Sequence, residues 1–241
     1  MSLSSQVLTT ESGTQIYMES NPKQLAGERA ADYVEDGMVV GLGTGSTAYF
    51  TIRKLGQRVA AGLKIQGIPT SEQSRQQALA EKIPLIDFDQ VTQIDLTIDG
   101  ADEVDPAFNL TKGGGGALLR EKIVAINSTT EIIVVDPSKW VSHLGKFALP
   151  VEVIPFGWQA TQRRLSKLGC TPRMRLTQNL PYITDNGNYI LDCDFQKIID
   201  PYNTEQTIKA ICGVVECGLF TGLAHRIIIG HADGTIEEKT L

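Results

Sequence analysis

The chain of 241 residues contains few cysteines and histidines, and neither type has the spacing of a metal site. The cysteines are Cys170, Cys193, Cys212 and Cys217. They form no CxxC pair, and a chain of this length can bury a core without disulfide bonds. The histidines, His143, His225 and His231, stand singly. We therefore expect free thiols in a reducing compartment, and no metal or hydrolase site built on histidine.

The sequence also lacks an excess of basic residues and any long hydrophobic run. Lysine and arginine total 22 against 28 aspartates and glutamates, which gives a net charge of -6. This charge makes nucleic acid and anionic membranes poor partners. No apolar run approaches the roughly 20 residues of a membrane span. The first twenty residues are polar, without the apolar core of a signal peptide, so we expect a cytoplasmic protein with a disordered lead over residues 1–18.

What is present is an ordinary globular composition with an α/β pattern. Hydrophobic residues make up 41% and charged residues 21%, as in folded domains. A helix is predicted from Pro22, capped by Asn21. Strands are predicted over residues 38–42, 63–69, 83–86 and 91–99, with helices after residues 47 and 71. This alternation predicts a Rossmann-like parallel sheet with helices on both faces.

The pattern changes after about residue 145. From residue 150 the predicted order is strand, helix, strand, strand, helix, strand, which is the ferredoxin-like order. Residues 226–231 form a last apolar strand that returns to the first sheet. We therefore predict a catalytic domain of residues 1–146 and 222–241, with a smaller ferredoxin-like α+β domain, residues 147–221, inserted near the C-terminus.

Three polar stretches follow predicted strands of the first sheet. They are residues 44–47, Ser71 and residues 99–102. Ligands of parallel sheets bind beyond the carboxyl ends of the strands, so we expect these stretches to share one rim. The turn at residues 43–47 combines hydroxyls with free amides at a helix N-terminus, which favours an anion such as phosphate. It lacks the lysine of a P-loop and the third glycine of a dinucleotide fingerprint, and a plain helix cap remains an alternative.

Residues 95–121 contain the largest concentration of charged residues and glycines that could form an active site. Asp99 and Asp102 end a strand, Lys112 opens a four-glycine loop, and Glu121 lies in the next helix. A chance turn is one alternative. A magnesium site built on the aspartates is another, although Lys112 would compete for the same carboxylates. A third interpretation is proton transfer between adjacent carbons, which needs one base and donors for the enediolate oxygen. Glu121 and Lys112 could supply both without metal or nicotinamide.

Together the motifs closely resemble the type A family of ribose-5-phosphate isomerases. The motifs are GLGTGST (41–47), SEQS (71–74), DLTIDGADEVD (95–105), KGGGGALLREK (112–122) and DPSK (136–139). The resemblance extends from about residue 20 to the C-terminus. It implies interconversion of D-ribose 5-phosphate and D-ribulose 5-phosphate through a cis-enediolate, in the non-oxidative pentose phosphate pathway. It also implies no cofactor, a small-molecule sugar phosphate as partner, and a homodimer or higher homo-oligomer.

The resemblance assigns a role to each matching residue. Glu121 is the expected catalytic base, and Asp99 and Asp102 assist ring opening and hold hydroxyls. Lys112 and its glycine loop stabilise the oxyanion. The expected substrate-binding residues are Lys23, Thr44, Gly45, Ser46, Thr47, Asp99, Gly100, Ala101, Asp102, Lys112, Gly113, Gly114, Gly115 and Lys139. Residues 44–47 form the phosphate cradle, to which Lys23 contributes. The chain departs from the family in its extra N-terminal residues and at Gly116, where some relatives carry alanine.

Two other functions would explain part of the sequence pattern. An S-adenosylmethionine-dependent methyltransferase also uses a Gly-x-Gly-Thr-Gly turn after a strand. It would place an acidic residue at the end of the second strand, where this chain first has the hydroxyls of Thr70 and Ser71. A non-enzymatic sugar-phosphate sensor of similar fold would need a DNA-binding module, and neither a helix-turn-helix pattern nor a basic stretch is visible.

Overall fold

A computed structural model describes residues 7–9, 15–17 and 20–241. Within the predicted lead, Val7–Thr9 and Gln15–Tyr17 pair as antiparallel strands. The other residues of the stretch 1–18 lie outside the described residues. In the described part of the chain, no helix is both long and apolar enough to cross a membrane. All four cysteines are free thiols, as predicted, and Cys212 alone among them is exposed.

The described part of the chain consists of short α-helices and β-strands. The α-helices are α1 (Pro22–Ala31), α2 (Ala48–Ala60), α3 (Glu72–Ala80), α4 (Leu118–Ile126), α5 (Trp158–Ser166) and α6 (Pro201–Lys209), and a 3-10 helix spans Pro137–Lys139. The strands are β1 (Val7–Thr9), β2 (Gln15–Tyr17), β3 (Val39–Leu42), β4 (Gln66–Pro69), β5 (Ile94–Asp99), β6 (Glu103–Val104), β7 (Leu110–Thr111), β8 (Ser128–Val135), β9 (Leu149–Val153), β10 (Thr171–Met174), β11 (Leu176–Thr177), β12 (Leu180–Pro181), β13 (Tyr189–Asp194), β14 (Val214–Cys217), β15 (Leu219–Phe220), β16 (Arg226–Gly230) and β17 (Ile236–Thr240).

The main sheet has six strands in the order β17-β16-β8-β5-β3-β4. Neighbouring strands from β16 to β4 are parallel, and β17 joins the edge antiparallel to β16. The predicted α/β class with a parallel sheet is confirmed. The predicted strand at residues 83–86 is wrong, because only a single bridge, Gly67 to Leu85, forms there. A proline within this short run leaves too few backbone N–H groups for a full ladder.

Helix α1 begins where the sequence predicts and lies close to α2. The Asn21 side chain accepts hydrogen bonds from the N–H groups of Lys23 and Gln24, and Pro22 occupies the first helical position. Gly27 permits the close approach, since a Cβ there would lie 2.9 Å from the Thr47 carbonyl oxygen. This packing holds the start of α1 beside the turn that precedes α2.

A second sheet of four antiparallel strands has the order β10-β13-β9-β14. Its elements follow the chain as strand, helix, strand, strand, helix, strand, and its buried cluster includes Leu149, Leu165, Leu191 and Ile208. The boundaries at residues 147 and 221 stay a prediction. Strand β15 lies inside them yet pairs with β7, which precedes α4. Strand β15 therefore lies beside β7, the strand that leads into Lys112 and the glycine loop.

Candidate active site

The carboxyl ends of the parallel strands meet at one edge of the main sheet and surround a cavity of about 120 Å³. It is lined by Lys23, Thr44, Gly45, Ser46, Thr47, Gly100, Ala101, Asp102, Lys112, Gly113, Gly114, Gly115, Glu121 and Lys139. Asp99 ends β5 and contacts Lys112, one of the lining residues. The structure thus brings every residue of the predicted site to one place. Their chemical roles stay predictions.

Three buried charged side chains form the centre of the site. The ammonium nitrogen of Lys112 lies 3.0 Å from Asp99 Oδ2 and 3.5 Å from Glu121 Oε2. The three side chains are 1–4% exposed. Such a cluster places a fixed cation between two carboxylates with little water to screen them. The Lys112 ammonium therefore already pairs with Asp99, a carboxylate that the magnesium interpretation needs.

Asp99 connects β5 to the turn after β3. Its Oδ1 accepts hydrogen bonds from the N–H groups of Thr44, at 2.9 Å, and of Gly100, at 2.7 Å. Gly43 leaves room for this carboxylate, because a Cβ at that position would overlap it. These contacts fix the Asp99 side chain and direct Oδ2 at Lys112.

Lys112 is held by Gly218, the residue between β14 and β15. Its backbone N–H donates to the Gly218 carbonyl at 2.8 Å, and its Nζ donates to the Gly100 carbonyl. Burial would lower the pKa of Lys112, but the carboxylates of Asp99, Glu121 and Glu131 outweigh burial and raise it. Lys112 is therefore a permanent cation, suited to stabilising a developing oxyanion.

Glu121 lies in the first turn of α4, and its Oε2 accepts no hydrogen bond within the described residues. Burial raises the pKa of Glu121 to about 8, with Lys112 opposing the rise and Asp99 and Asp102 adding to it. The charged groups that shift it are Lys112, Asp99 and Asp102, and Glu121 in turn raises the pKa of Glu131 and of Tyr182. A carboxyl group with a pKa this close to neutrality can both take and return a proton.

The glycine loop after Lys112 is fixed from both sides. Asp102 Oδ2 accepts from the N–H of Gly114 at 2.7 Å. Burial raises the pKa of Asp102, although Gly114 and Lys112 oppose it. Arg175, which directly follows β10, donates from Nη1 to the Gly113 and Gly114 carbonyls at 2.8 and 3.2 Å. The loop amides are therefore held in one arrangement at the cavity wall.

The turn at residues 44–47 presents unpaired donors to the cavity. Within residues 20–241, the backbone N–H groups of Gly45, Ser46 and Thr47 donate no backbone hydrogen bond. Lys23 Nζ donates to Ser46 Oγ at 3.0 Å. The Thr44 hydroxyl is instead engaged with Ser71 Oγ at 2.7 Å. Amides at a helix start together with a lysine form a site for a phosphate group.

Several residues near the site are missing from the sequence-based prediction. Arg175 and Tyr182 lie between β10 and β13, and the Tyr182 hydroxyl contacts the Gly115 carbonyl at 3.4 Å. Phe220 packs beneath Lys112, its ring centre 5.5 Å from Nζ. Glu131 is buried, and neither carboxyl oxygen has a hydrogen-bond partner among the described residues. No local spacing signals these residues, because each arrives from a distant strand or loop.

One edge of the parallel sheet carries a turn with free amides, a buried lysine and a buried glutamate with a raised pKa. This arrangement indicates an enzyme that performs acid–base chemistry on small phosphorylated compounds. Comparison with known proteins specifies the reaction. The family model for ribose 5-phosphate isomerase A (phosphoriboisomerase A) matches residues 66–234. Ribose-5-phosphate isomerase A of Bacillus mycoides is 54% identical over 218 residues, which are 90% of this chain and 99% of that protein.

Solved structures agree with this match. Ribose 5-phosphate isomerase A from Methanocaldococcus jannaschii has a TM-score of 0.86 and 41% identity, covering 91% of this chain and 98% of that chain. A D-ribose-5-phosphate isomerase in complex with phospho-erythronic acid has a TM-score of 0.88 and 41% identity, covering 92% and 100%. The chain belongs to the ribose 5-phosphate isomerase A family, and it is an enzyme that isomerises ribose 5-phosphate. The methyltransferase and sensor hypotheses are therefore set aside.

Proposed function

We propose that Glu121 is the base that moves a proton between C2 and C1 of the open-chain sugar, with Lys112 stabilising the oxyanion. The contact that carries this proposal is the buried ion pair between Lys112 Nζ and Glu121 Oε2, at 3.5 Å beside the cavity. One base reachable from both carbons suffices for an aldose–ketose isomerisation. The cation lies next to the base, where the substrate oxygen becomes negative.

In the proposed reaction the Glu121 carboxylate takes the proton from C2 of ribose 5-phosphate. The C2–H electron pair forms the C1=C2 bond, and the electrons of the C1=O bond move to O1, which Lys112 and the Gly115 amide stabilise. Glu121 then returns the proton to C1, while the C2–O bond becomes a carbonyl and the O2 proton passes to O1. The product is ribulose 5-phosphate, and no external oxidant or reductant is consumed.

Asp99, Asp102 and the phosphate turn hold the rest of the substrate in this proposal. The aspartates accept hydrogen bonds from sugar hydroxyls and assist ring opening. The N–H groups of Gly45, Ser46 and Thr47 and the ammonium groups of Lys23 and Lys139 surround the phosphate. A relative in complex with phospho-erythronic acid supports a phosphorylated ligand of this size.

The pH dependence of kcat/KM tests the role of Glu121. Because its pKa is raised to about 8, the reactive carboxylate is lost as the pH falls through that value. We expect kcat/KM to decrease about tenfold per pH unit below this pKa and to level off above it. The second ionisation of the substrate phosphate, near pH 6, adds a separate limb at lower pH. A profile that is flat from pH 6 to 9 would contradict the assignment.

Lys23→Ala tests the phosphate site. Loss of one charge-assisted hydrogen bond to phosphate costs about 1.5–3 kcal/mol, which corresponds to a rise in KM of roughly 10- to 150-fold. We expect kcat to change little, because Lys23 is distant from the reacting carbons in this proposal. Lys54→Ala, which removes a lysine of α2 that does not line the cavity, is the control. Steady-state kinetics with ribose 5-phosphate gives both constants, and an unchanged KM would remove Lys23 from the site.

We further propose a cytoplasmic homodimer or higher homo-oligomer that acts in the non-oxidative pentose phosphate pathway. The family resemblance supports the pathway and the oligomer. We also propose that residues 147–221 form a separate small domain, which their sequence pattern supports. Sedimentation equilibrium of the purified chain distinguishes a monomer of 26.2 kDa from its multiples.

A further inference from the structure

Lys122, the residue after Glu121 in α4, forms a buried charged cluster with the second sheet. Its Nζ donates to Glu205 Oε1 at 2.6 Å, to Glu216 Oε1 at 2.9 Å and to the Cys217 carbonyl at 3.0 Å. Glu205 belongs to α6, and Glu216 and Cys217 belong to β14. The ammonium group of Lys122 therefore uses all three of its N–H donors, and these bonds attach α4 to α6 and β14.

The carboxylates of this cluster are themselves well bonded. Glu205 Oε2 accepts from the Thr221 hydroxyl at 2.7 Å, and Glu216 Oε2 lies 3.0 Å from Lys209 Nζ. Burial would raise the pKa of Glu216, but Lys122, the Cys217 N–H and Lys209 together outweigh burial and the pKa is lowered. Although the carboxylates and the Cys217 thiol are close enough to hold a metal ion, the ammonium group of Lys122 already bonds both carboxylates. The cluster is thus a satisfied ionic network.

The same segment of chain reaches both lysines. The Phe220 ring centre lies 4.9 Å from Lys122 Nζ and 5.5 Å from Lys112 Nζ, so one aromatic ring contacts two cations. Two residues earlier, the Gly218 carbonyl accepts from the Lys112 N–H at 2.8 Å. Residues 216–220 therefore hold Lys112 directly and hold Glu121 through its neighbour Lys122.

We propose that Lys122, with Glu205 and Glu216, is a positioning residue that sets the distance between Glu121 and Lys112. The inference rests on the proposed role of Glu121 as the base. Adjacent residues of a helix move together, so a shift of Lys122 carries Glu121 with it. A displacement of about 1 Å at a reacting group can cost roughly 10²-fold in rate. The cluster contributes to catalysis although none of its side chains lines the cavity.

The test needs a variant that folds without the cluster. Lys122→Met alone leaves Glu205 buried without a cation and Glu216 with Lys209 as its one cation, which is strongly destabilising. The triple variant Lys122→Met/Glu205→Gln/Glu216→Gln removes all three charges and keeps side chains of similar size. We expect it to fold, with kcat at least tenfold lower and KM for ribose 5-phosphate within twofold of the parent. The conservative variant Lys122→Arg, which keeps the charge, should recover part of kcat.

A pH profile separates positioning from stability. Lys112 holds down the pKa of Glu121, so a looser contact between them should move the acidic limb of kcat/KM to higher pH. A fold that is merely less stable would keep the limb in place. Lys209→Met is the matched control, because Lys209 bonds the same Glu216 from α6 and not from α4. We expect this variant to keep the parent kcat and pH profile.

Each outcome has one interpretation. A folded triple variant with the parent kcat and pH profile overturns the inference. If the triple variant does not fold, the double variant Lys122→Met/Glu205→Gln leaves Glu216 paired with Lys209, and a kcat and pH profile equal to those of the parent overturn the inference instead. An active Glu121→Gln variant refutes the base assignment itself. An inactive Glu121→Gln variant beside a fully active triple variant refutes only the positioning role.

Discussion

We expect Glu121→Gln to lower kcat for ribose 5-phosphate by about 10²- to 10⁴-fold, the range that a positioned general base contributes. Glutamine keeps the size of the side chain and its place in α4, but it cannot take a proton from carbon. The phosphate turn is unaffected, so KM should stay within a few-fold of the parent. Coupled measurement of ketose formation gives both constants. A variant that isomerises at near the parent rate would show that another group is the base.

Glu131→Gln is the matched control for this substitution. Glu131 is also buried, and burial together with Asp99 raises its pKa well above the usual value, with Lys112 opposing. Glutamine keeps the size of this side chain, and Glu131 does not line the cavity. We therefore expect little change in kcat. The pair of variants separates the loss of a base from the loss of a buried glutamate in general.

Lys112→Met should produce the second large effect. Removal of one oxyanion donor costs about 10²- to 10³-fold in kcat, and the charge of Lys112 matters most once O1 is negative. We therefore expect a much greater loss in kcat than in substrate affinity. The substitution also leaves Asp99 buried without its cation, so the melting temperature should fall.

Two measurements make the Lys112 result decisive. Thermal melting shows whether Lys112→Met is folded at the assay temperature, and Lys112→Met/Asp99→Asn relieves the unpaired charge if it is not. Separate values of kcat and KM then assign the role. A raised KM at constant kcat would mean that Lys112 binds the substrate equally in the ground state and the transition state.

The sequence predicts the central part of the site because parallel sheets gather their strand ends. Asp99 and the turn at residues 44–47 follow neighbouring strands, β5 and β3, so the topology alone places them together. Lys112 and Glu121 are close to Asp99 in the chain, so a short connection is enough to keep them near it in the fold. The short prediction at residues 83–86 fails because a hydrophobic run carries no information about its hydrogen-bond partners.

What the sequence leaves undetermined is how the site is buried and held. The raised pKa of Glu121 depends on the exclusion of water by packed neighbours, a property of the whole fold. Phe220 and Arg175 reach the site from more than fifty residues away, through antiparallel pairing and a loop contact. These contacts involve ordinary core and surface residue types, so no pattern distinguishes them before the fold is known.

The contact between Gly218 and Lys112 bears on how the two sheets could be separated by design. A Cβ on Gly218 would collide with the Lys112 carbonyl oxygen and approach Pro150 to 3.1 Å. The ladder from β15 to β7 continues the contact. The stretch predicted as a small domain, residues 147–221, therefore cannot be exchanged between homologues at its predicted ends without breaking these contacts. A chimera should take residues 110–122, 149–153 and 214–221 from the same parent, because these three stretches contact one another closely.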